Sequence, residues 1–461
     1  MSESKISIFI FHRDLRKEDN IGLIKTIQES NTVFPVFIFT PDQVSNKNKY
    51  KSHNSIQFMI NSLAELEKSL PVSFFYGETN KIVKNLLQLK SLKINHVGYN
   101  KDFTPYAQTR DNSLKKMIKD KFNNVTTEEY DDVTLNLMEN CLKKDGNPYR
   151  IFTPYYNNAS KLSVNKPLKW LSSYQKKCVK IPEKSLQKIN TNNFYKPNKD
   201  VVVIGGRNEA LKTLTNIKKW NNYNNIRNMP AYNTTRLSAH LKFGTVSPRE
   251  VYYQFKSKLG PSNELFKQLY WRDFYMTMLY YFPDETTSVT NPKMNKIKWK
   301  TSKSQLQKWQ NGVTGVPIVD AGMREMNQTG FMHNRVRMIV ATFLIYNLQI
   351  HWKEGERYFS QKLVDIDRAN NIGNWKWVAG IESYSNDYYK AMSMESQMER
   401  FDPQGEYIKK WVPELKDIPV SDIIKWEQKY EDYDVDYPKP MVDTKDTRKT
   451  AIAYMKQAII S

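Results

Sequence analysis

The first 130 residues alternate short apolar runs with amphipathic stretches, and this alternation constrains the fold more than any other feature. The apolar runs are rich in β-branched and aromatic residues, which favour strands. Between them, Ile56–Leu70 carries apolar residues three and four positions apart, which indicates an amphipathic helix. Strands that alternate with helices are typical of a parallel, doubly wound α/β sheet. The predicted strands are Ile6–Phe11, Val33–Phe39, Val72–Tyr76 and Ile94–Tyr99.

The remaining chain divides into a polar connection and a helical region. Residues 131–205 are rich in Lys and Asn and punctuated by prolines, which predicts an interdomain linker with little regular structure. Helical periodicity dominates over residues 206–461. Within it, SPRE predicts a helix start with Ser247 as N-cap, Pro248 at the first position and Glu250 at the third. We therefore expect an α/β N-terminal domain over residues 1–130, a linker, and a larger all-α domain.

The net charge of +22, with a pI near 9.5, favours a polyanionic partner, nucleic acid before membrane surface. An AT-rich genome would also enrich Lys and Asn, so codon bias is an alternative source of part of this charge. Two cysteines, Cys141 and Cys178, without a Cys/His cluster, argue against a disulfide framework and a metal site. The N-terminus lacks a signal-peptide pattern, and no apolar run approaches the roughly 20 residues of a membrane span. A soluble, intracellular protein is expected.

Tryptophans cluster in the second half of the chain. Trp299, Trp352, Trp375 and Trp377 lie within one helix-rich stretch and are four of the ten tryptophans in the protein. Tryptophan is the side chain most easily oxidised by one electron, so a series leading inward could carry electrons to a buried acceptor. The alternative is that each is a large core anchor.

A second polar pattern occurs in FMHNRVRM (331–338). Asn334, Arg337 and Met338 are spaced i, i+3 and i+4, so on a helix they share one face. A core helix rarely buries an amide and a guanidinium without partners. A bound polar ligand would satisfy both groups.

Five segments, in chain order, are similar to motifs of the photolyase/cryptochrome family, and the likeness covers nearly the whole chain. This resemblance implies that the helical domain encloses FAD in a U-shaped conformation, with reduced FADH− as the active form. A second, antenna chromophore is left open, because an acidic residue for folate is absent near Ala107. The five segments are FHRDLRKEDNIGL (11–23), RNMPAYNTTRLSAHLKFGTVSPRE (227–250), YWRDFY (270–275), TGVPIVDAGMREMNQTGFMHNRVRM (314–338) and FDPQGEYIKKWVPEL (401–415).

The resemblance also implies which residues hold the cofactor. Hydroxyls, a guanidinium and backbone N–H groups of TTRLS suit the pyrophosphate and ribityl chain, although a helix-cap cluster would have the same composition. Asn371 is expected opposite flavin N5, and Arg337 and Asp365 are expected to pair behind the ring; a plain structural salt bridge would use the same two residues. The predicted cofactor-binding set is Tyr223, Thr234, Thr235, Arg236, Leu237, Ser238, Trp271, Arg272, Asn334, Arg337, Met338, Asp365, Asp367 and Asn371.

Electron transfer and substrate contacts follow from the same resemblance. Trp375 would reduce photoexcited flavin, and the hole would move outward through Trp352 to Trp299. Trp271 and Trp377 would stack on a flipped-out pyrimidine dimer, which pairs poorly and so costs less to extrude than a normal base. The other predicted lesion contacts are Gln268, Asn334 and Met338, and the predicted phosphate contacts are Arg227, Arg335 and Lys390.

Within the family the chain is most similar to class I cyclobutane pyrimidine dimer (CPD) photolyases, which act as monomers on UV-damaged DNA. A (6-4) photolyase carries two histidines where Asn334 and Met338 stand, and a signalling cryptochrome usually carries an extended tail. A DASH-type cryptochrome acting on single-stranded DNA is the main rival, because IGNWKWVAG (372–380) is partly similar to that group. A blue-light-sensing flavoprotein without repair activity is a further alternative. Gln268 departs from the glutamate usual in CPD photolyases.

Overall fold

The computed structural model describes residues 4–182, 189–284, 296–381 and 391–460. The chain forms two compact units. The first unit comprises Met1–Pro197, Val203–Asn221 and Thr235–Pro283, and the second comprises Asn198–Val202, Asn222–Thr234 and Asp284–Ser461. No helix in the described ranges has the length and apolarity that crossing a membrane requires.

A five-stranded parallel sheet forms the centre of the first unit, with strand order β3-β2-β1-β4-β5. Its middle strands are buried along almost their whole length, as expected for a sheet covered on both faces. The doubly wound α/β prediction is therefore confirmed. The strands are β1 (Ile6–Phe11), β2 (Thr32–Phe39), β3 (Ser73–Tyr76), β4 (His96–Asn100) and β5 (Thr126–Tyr130).

Four helices of the first unit begin at a side chain that accepts a hydrogen bond from a backbone N–H of the first turn. Ser52 accepts a hydrogen bond from the Ser55 N–H, so this helix begins three residues before the predicted Ile56. Ser247 and Glu250 form the capping box that the SPRE sequence predicts. The helices are α1 (Ile21–Glu29), α2 (Pro41–Val44), α3 (His53–Glu67), α4 (Thr79–Gln88), α5 (Pro105–Lys121), α6 (Phe152–Ala159), α7 (Ser172–Lys177), α8 (Arg207–Thr215), α10 (Ser238–Phe243), α11 (Pro248–Lys258) and α12 (Leu265–Tyr281), with 3₁₀ turns at Met138–Cys141, Thr191–Phe194 and Ile217–Trp220.

Much of the predicted linker is an ordered part of the first unit. Residues 131–197 belong to this unit and contribute α6 and α7. The Val179 N–H donates to the Val33 carbonyl at 2.9 Å, and Ile181 is buried against the sheet core. The polar composition concealed these contacts, because buried apolar residues are scattered among lysines and asparagines rather than periodic.

Residues 235–283, expected in the helical domain, also belong to the first unit. A buried ion network links α11 to the loops that follow β1 and β5. Arg249 pairs with Asp19 at 2.9 Å and with Asp132 at 2.7 Å, and Arg16 also pairs with Asp132 at 2.7 Å. Because each buried charge has an oppositely charged partner, the network fixes α11 beside the sheet.

The second unit is helical and packs around one large core, in which Trp309, Trp352 and Trp375 are buried. Its helices confirm the predicted all-α region. Phe343–Asn347 forms a π-helical turn that continues the preceding helix. The helices are α9 (Tyr223–Ile226), α13 (Lys303–Asn311), α14 (Pro317–Thr329), α15 (Asn334–Thr342), α16 (Trp352–Lys362), α17 (Arg368–Ala379), α18 (Met394–Phe401), α19 (Glu406–Trp411), α20 (Val420–Ile424), α21 (Trp426–Lys429) and α22 (Thr444–Ile460), with 3₁₀ turns at Pro413–Leu415 and Tyr430–Asp432.

Candidate functional site

The polar face predicted from FMHNRVRM is present on the first turns of α15. The Asn334 amide nitrogen lies 3.9 Å from the Met338 sulfur, which places both side chains on one side of the helix. Asn334 is exposed and Arg337 and Met338 are half-buried, although Val336, Ile339 and Val340 of the same helix are buried in the core. This face of α15 is therefore open and polar, which suits a polar ligand better than a packed interior.

Arg337 and Asp365 form the expected ion pair. Two bonds of 3.1 and 2.9 Å join the Arg337 Nη2 to the two carboxylate oxygens. The Arg337 Nε also donates to the Met332 carbonyl at 2.8 Å, which fixes the guanidinium plane. Asp365 is buried, so removal of Arg337 would take an ion-pair partner away from a buried carboxylate.

Asn371 is held in one orientation. Its Nδ2 donates to the Glu356 carbonyl and Oε1, each at 3.0 Å, and to the Ser360 hydroxyl at 3.1 Å. Burial raises the pKa of the Glu356 carboxyl. Among the described residues, no group donates to the Asn371 amide oxygen. Because the NH₂ group donates to α16, the amide oxygen is the atom that this side chain presents to a ligand, as a hydrogen-bond acceptor.

Asp367 caps α17 and accepts hydrogen bonds from the backbone and side-chain nitrogens of Asn370 at 3.2 and 3.0 Å. The cap fixes the start of the helix that carries Asn371, Trp375 and Trp377. Trp375 is buried, whereas Trp377 is half-buried. Residues two positions apart lie on roughly opposite sides of a helix. Trp375 therefore packs into the core, whereas Trp377 lies on the half-buried side of α17.

The inner tryptophan, Trp375, occupies a tight aromatic site. Its ring centroid lies 5.0 Å from Phe359 and 6.4 Å from Trp309. A Cβ at Gly355 would overlap the indole, so α16 must carry glycine at this position. Trp309 and Gly355 were not identified from the sequence, although Trp309 lies within the same stretch of chain as the predicted tryptophans; a helical glycine carries no signal by itself.

The outer two tryptophans are joined by a histidine. The Trp299 centroid lies 5.2 Å from that of His351, and His351 lies 5.7 Å from Trp352. Trp352 is buried and Trp299 is half-buried. His351 was also not identified from the sequence; in the structure it is the N-cap of α16.

In the first unit, α12 presents two of the predicted lesion contacts on one face. Gln268 is exposed and Trp271 is half-buried one turn later. Phe152 of α6 stacks on Trp271 with centroids 3.5 Å apart and an angle of 7° between the planes. A base that stacks on this indole must therefore use surface that Phe152 does not cover, or displace Phe152. The Arg272 guanidinium donates to the Val133 and Leu241 carbonyls at 2.7 and 3.2 Å, which gives it a structural role within this unit.

The TTRLS segment spans the division between the units, with Thr234 in the second and the other four residues in the first. Arg236 has φ +52°, a left-handed conformation that non-glycine residues rarely adopt and that is common at functional sites. Leu237 is buried, and exposed Ser238 begins α10. Tyr223 is half-buried at the start of α9.

Two predicted phosphate contacts lie together in the second unit. The Arg335 Nη2 donates to the Asn228 side chain at 2.9 Å, and its guanidinium lies 4.4 Å from the Phe401 centroid. Burial and the neighbouring charges of Arg227 and Arg400 lower the pKa of Arg335. Arg400 was not identified from the sequence. The third predicted contact, Lys390, lies outside the described residues.

These residues fit a flavin dinucleotide. On the second unit, an exposed amide, a fixed guanidinium and an amide oxygen without a donor surround the polar face of α15 and the start of α17. When bound, the flavin supplies the light-driven electron that these side chains by themselves do not provide.

The chain matches known proteins over most of its length. Residues 7–171 match the sequence model of DNA photolyase, and residues 265–457 match that of the FAD binding domain of DNA photolyase. The deoxyribodipyrimidine photo-lyase of Escherichia coli K12 is 30% identical over 97% of this chain and 98% of that protein.

Solved structures agree with these matches. An archaeal photolyase from Sulfolobus tokodaii, crystallised with two FAD molecules, has a TM-score of 0.85 and 36% identity, covering 98% of this chain and 100% of that one. A class III photolyase from Agrobacterium tumefaciens has a TM-score of 0.89 and 28% identity, covering 100% and 99%. The chain therefore belongs to the photolyase/cryptochrome family and carries the FAD-binding domain of a DNA photolyase, an enzyme of light-driven DNA repair.

Proposed function

We propose that this protein is a CPD photolyase that splits cyclobutane pyrimidine dimers in duplex DNA. The observation that carries this proposal is the pair Asn334 and Met338 on the open face of α15, neither of which has a proton to give near neutral pH. The adjacent His333 is buried, and its Nδ1 accepts from the Arg335 N–H. Burial and two arginines lower the pKa of His333 to about 4, so it is neutral and a poor acid at neutral pH.

Splitting a CPD needs an electron to enter and return, whereas a (6-4) lesion also needs an acid. The Asn334 amide can donate to a base carbonyl without changing its own charge. Gln268 can form similar hydrogen bonds from the first unit. Asn371 would accept a hydrogen bond from flavin N5–H through its free amide oxygen, and Arg337 and Asp365 would hold a neutral pair beside the ring.

The direct test is a light-dependent repair assay on the chemically reduced holoenzyme. CPD and (6-4) lesions are each placed in duplex and single-stranded oligonucleotides, and repair is followed by lesion loss after irradiation, with dark samples as controls. We expect CPD repair in both strand forms and none of (6-4) lesions. Repair of single-stranded CPDs alone would assign the chain to the DASH type. Light-induced change without repair of any lesion would assign it to the photoreceptors.

We further propose that Trp375, Trp352 and Trp299 restore the reduced cofactor. With flavin bound, Trp375 would be the residue that supplies it with an electron, Trp352 would resupply Trp375, and Trp299 would resupply Trp352. The buried position of the first two and the half-buried position of the third support this order. In the first unit, Thr235, Arg236, Leu237 and Ser238 remain our candidates for contacts with the FAD phosphates.

The cluster of Arg227, Arg335 and Arg400 is proposed to bind DNA phosphates. Arg227 and Arg400 lie near Arg335 and, after burial, lower its pKa, so a bound anion would offset the repulsion among these three like charges. Trp377, half-buried on α17, is the proposed stacking surface of this unit.

Replacing Arg335 by glutamine should weaken binding of undamaged and damaged DNA alike and reduce the slope of log Kd against log salt by about 0.9, the value for one lost phosphate contact. Fluorescence anisotropy between low and moderate salt measures both. Lys416→Gln removes the same charge from an exposed lysine that already lies beside Asp417 and is the matched control. Equal slopes for the two variants would remove Arg335 from the DNA-binding surface.

A further inference from the structure

His351 connects the two outer tryptophans of the proposed relay. Its imidazole is stacked on Trp352, with centroids 5.7 Å apart and planes at 26°, and meets Trp299 edge to face, with centroids 5.2 Å apart and planes at 66°. The two indoles thus share one neighbouring π-system. We propose that His351 is a positioning residue that bridges Trp352 and Trp299 electronically, so that the hole leaves the core through its ring. This inference rests on the proposed relay.

The backbone on both sides holds the imidazole in place. His351 is the N-cap of α16, and its Nδ1 accepts a hydrogen bond from the Lys353 N–H at 3.1 Å. Gln349, two residues earlier, has φ +53°, a costly left-handed conformation that ends the preceding turn. The Lys300 N–H donates to the Gln349 carbonyl at 2.8 Å, which ties the segment carrying Trp299 to the segment carrying His351.

The hydrogen bond also fixes the charge of the ring. Because Nδ1 accepts from a backbone N–H, the imidazole carries its proton on Nε2 and is neutral. Burial, together with Lys353, lowers the pKa of His351 to about 4, in the same direction. A neutral ring between two indoles does not oppose the passage of positive charge, whereas an imidazolium would.

Two features near Trp352 favour onward transfer. The buried Trp352 Nε1 has no hydrogen-bond partner in the described ranges, so an oxidised Trp352 has no adjacent base to take its proton and trap the hole. The Lys353 ammonium lies 5.7 Å from the Trp352 ring, and its charge disfavours a cation there. Trp299 is half-buried, so water can stabilise the charge that reaches it.

The electrons balance over three transfers. Trp375 gives one electron to the photoexcited flavin, Trp352 gives one to Trp375, and Trp299 gives one to Trp352 through the orbitals of His351. His351 itself is neither oxidised nor reduced. Trp299 then loses its Nε1 proton to water, and an external thiol returns one electron and one proton to it. The net result is one electron moved from the thiol to the flavin, one proton released to water, and a thiyl radical formed from the thiol.

Two variants separate the ring from the cap. His351→Asn keeps a good N-cap acceptor and removes the ring, whereas His351→Phe keeps a ring and removes the acceptor. In transient absorption of the holoenzyme, we expect His351→Asn to slow formation of the Trp299 radical about tenfold and His351→Phe to change it less than about twofold. Trp299→Phe marks complete loss of that signal. Unchanged kinetics in His351→Asn would overturn the proposal.

A dark measurement tests the contact without photochemistry. In holoenzyme labelled with 5-fluorotryptophan, ¹⁹F resonances of Trp299 and Trp352 are assigned by replacing each with Phe. We expect His351→Asn to shift both resonances and to leave that of Trp426, a buried tryptophan elsewhere in the second unit, in place. Absence of both shifts would overturn the bridge. If Trp299→Phe and Trp375→Phe leave photoreduction intact, the proposed relay itself fails, which is a distinct result.

Discussion

Trp375→Phe is expected to abolish photoreduction of the oxidised flavin while leaving repair by chemically reduced enzyme within about twofold of wild type. Phenylalanine fills much of the site formed by Phe359, Trp309 and Gly355, so the packing of α16 against α17 is largely kept. It is, however, far harder to oxidise than tryptophan. The electron that splits the lesion comes from a cofactor already reduced, and so does not pass through Trp375.

Bleaching of the oxidised-flavin absorption under blue light with an external thiol measures photoreduction, and loss of CPDs after dithionite reduction measures repair. Trp377→Phe is the matched control, because it alters a tryptophan two residues along the same helix on its half-buried side. We expect the opposite result there: normal photoreduction and modestly weaker binding of damaged DNA, since the smaller phenyl ring still stacks and loses only part of the about 1–3 kcal/mol that one stacked base is worth. Photoreduction by Trp375→Phe at the wild-type rate would remove this residue from the relay.

The sheet could be predicted from the sequence where strands are buried on both faces. The predicted strand Ile6–Phe11 matches the observed strand at both ends, and the predicted strand Val33–Phe39 lacks only the first residue of the observed one. An uninterrupted apolar run in an α/β pattern is interpreted as a buried strand. Thr126–Tyr130 was missed since it is an edge strand, four of whose five residues are not buried. Residues 131–182 and 189–197 pack into the first unit through contacts with distant parts of the chain, and local composition does not encode such contacts.

For the site, the sequence could predict which residues take part but not how their side chains are oriented. The spacing of Asn334 and Met338 shows that they share a helix face, and the structure places them in contact. The orientation of Asn371 depends on Glu356 and Ser360, which lie on another helix and carry no motif of their own. His351 likewise acquires its position between two indoles only when the strand-like segment near Lys300 pairs with residue 349. Tertiary neighbours, rather than local sequence, set these geometries.

Asn371→Asp is expected to make the stability of the protein strongly dependent on pH. The substitution puts a carboxylate oxygen where the amide nitrogen now lies, 3.0 Å from the Glu356 Oε1. Two carboxylates at this distance cannot both ionise, so they share a proton and the apparent pKa of the pair rises. Burial already raises the pKa of Glu356 in the wild-type protein, which adds to the effect.

The direction follows from the folded and unfolded pKa values. The folded pKa of the pair lies above the unfolded value of about 4. At pH values between these two pKa values the folded state binds more protons than the unfolded state, so the stability of the protein falls as the pH rises through this range. At pH values above the folded pKa, each pKa unit of difference between the folded and unfolded states lowers the free energy of unfolding by about 1.4 kcal/mol. This loss of stability disappears below about pH 4. Urea unfolding of the holoenzyme from pH 4.5 to 8 measures the slope against wild type.

Asn371→Asp combined with Glu356→Gln supplies the matched control. In that double variant the new glutamine amide can donate to the introduced carboxylate, so the pH dependence should return toward that of Glu356→Gln alone. Asn371→Leu should lose stability with a weaker pH dependence than Asn371→Asp, because losing the hydrogen bond that lowers the pKa of Glu356 raises that pKa but adds no second carboxylate. Parallel pH profiles for Asn371→Asp and wild type would mean that the amide does not face Glu356 in solution, and the assignment of its oxygen as the acceptor for flavin N5–H would fail with it.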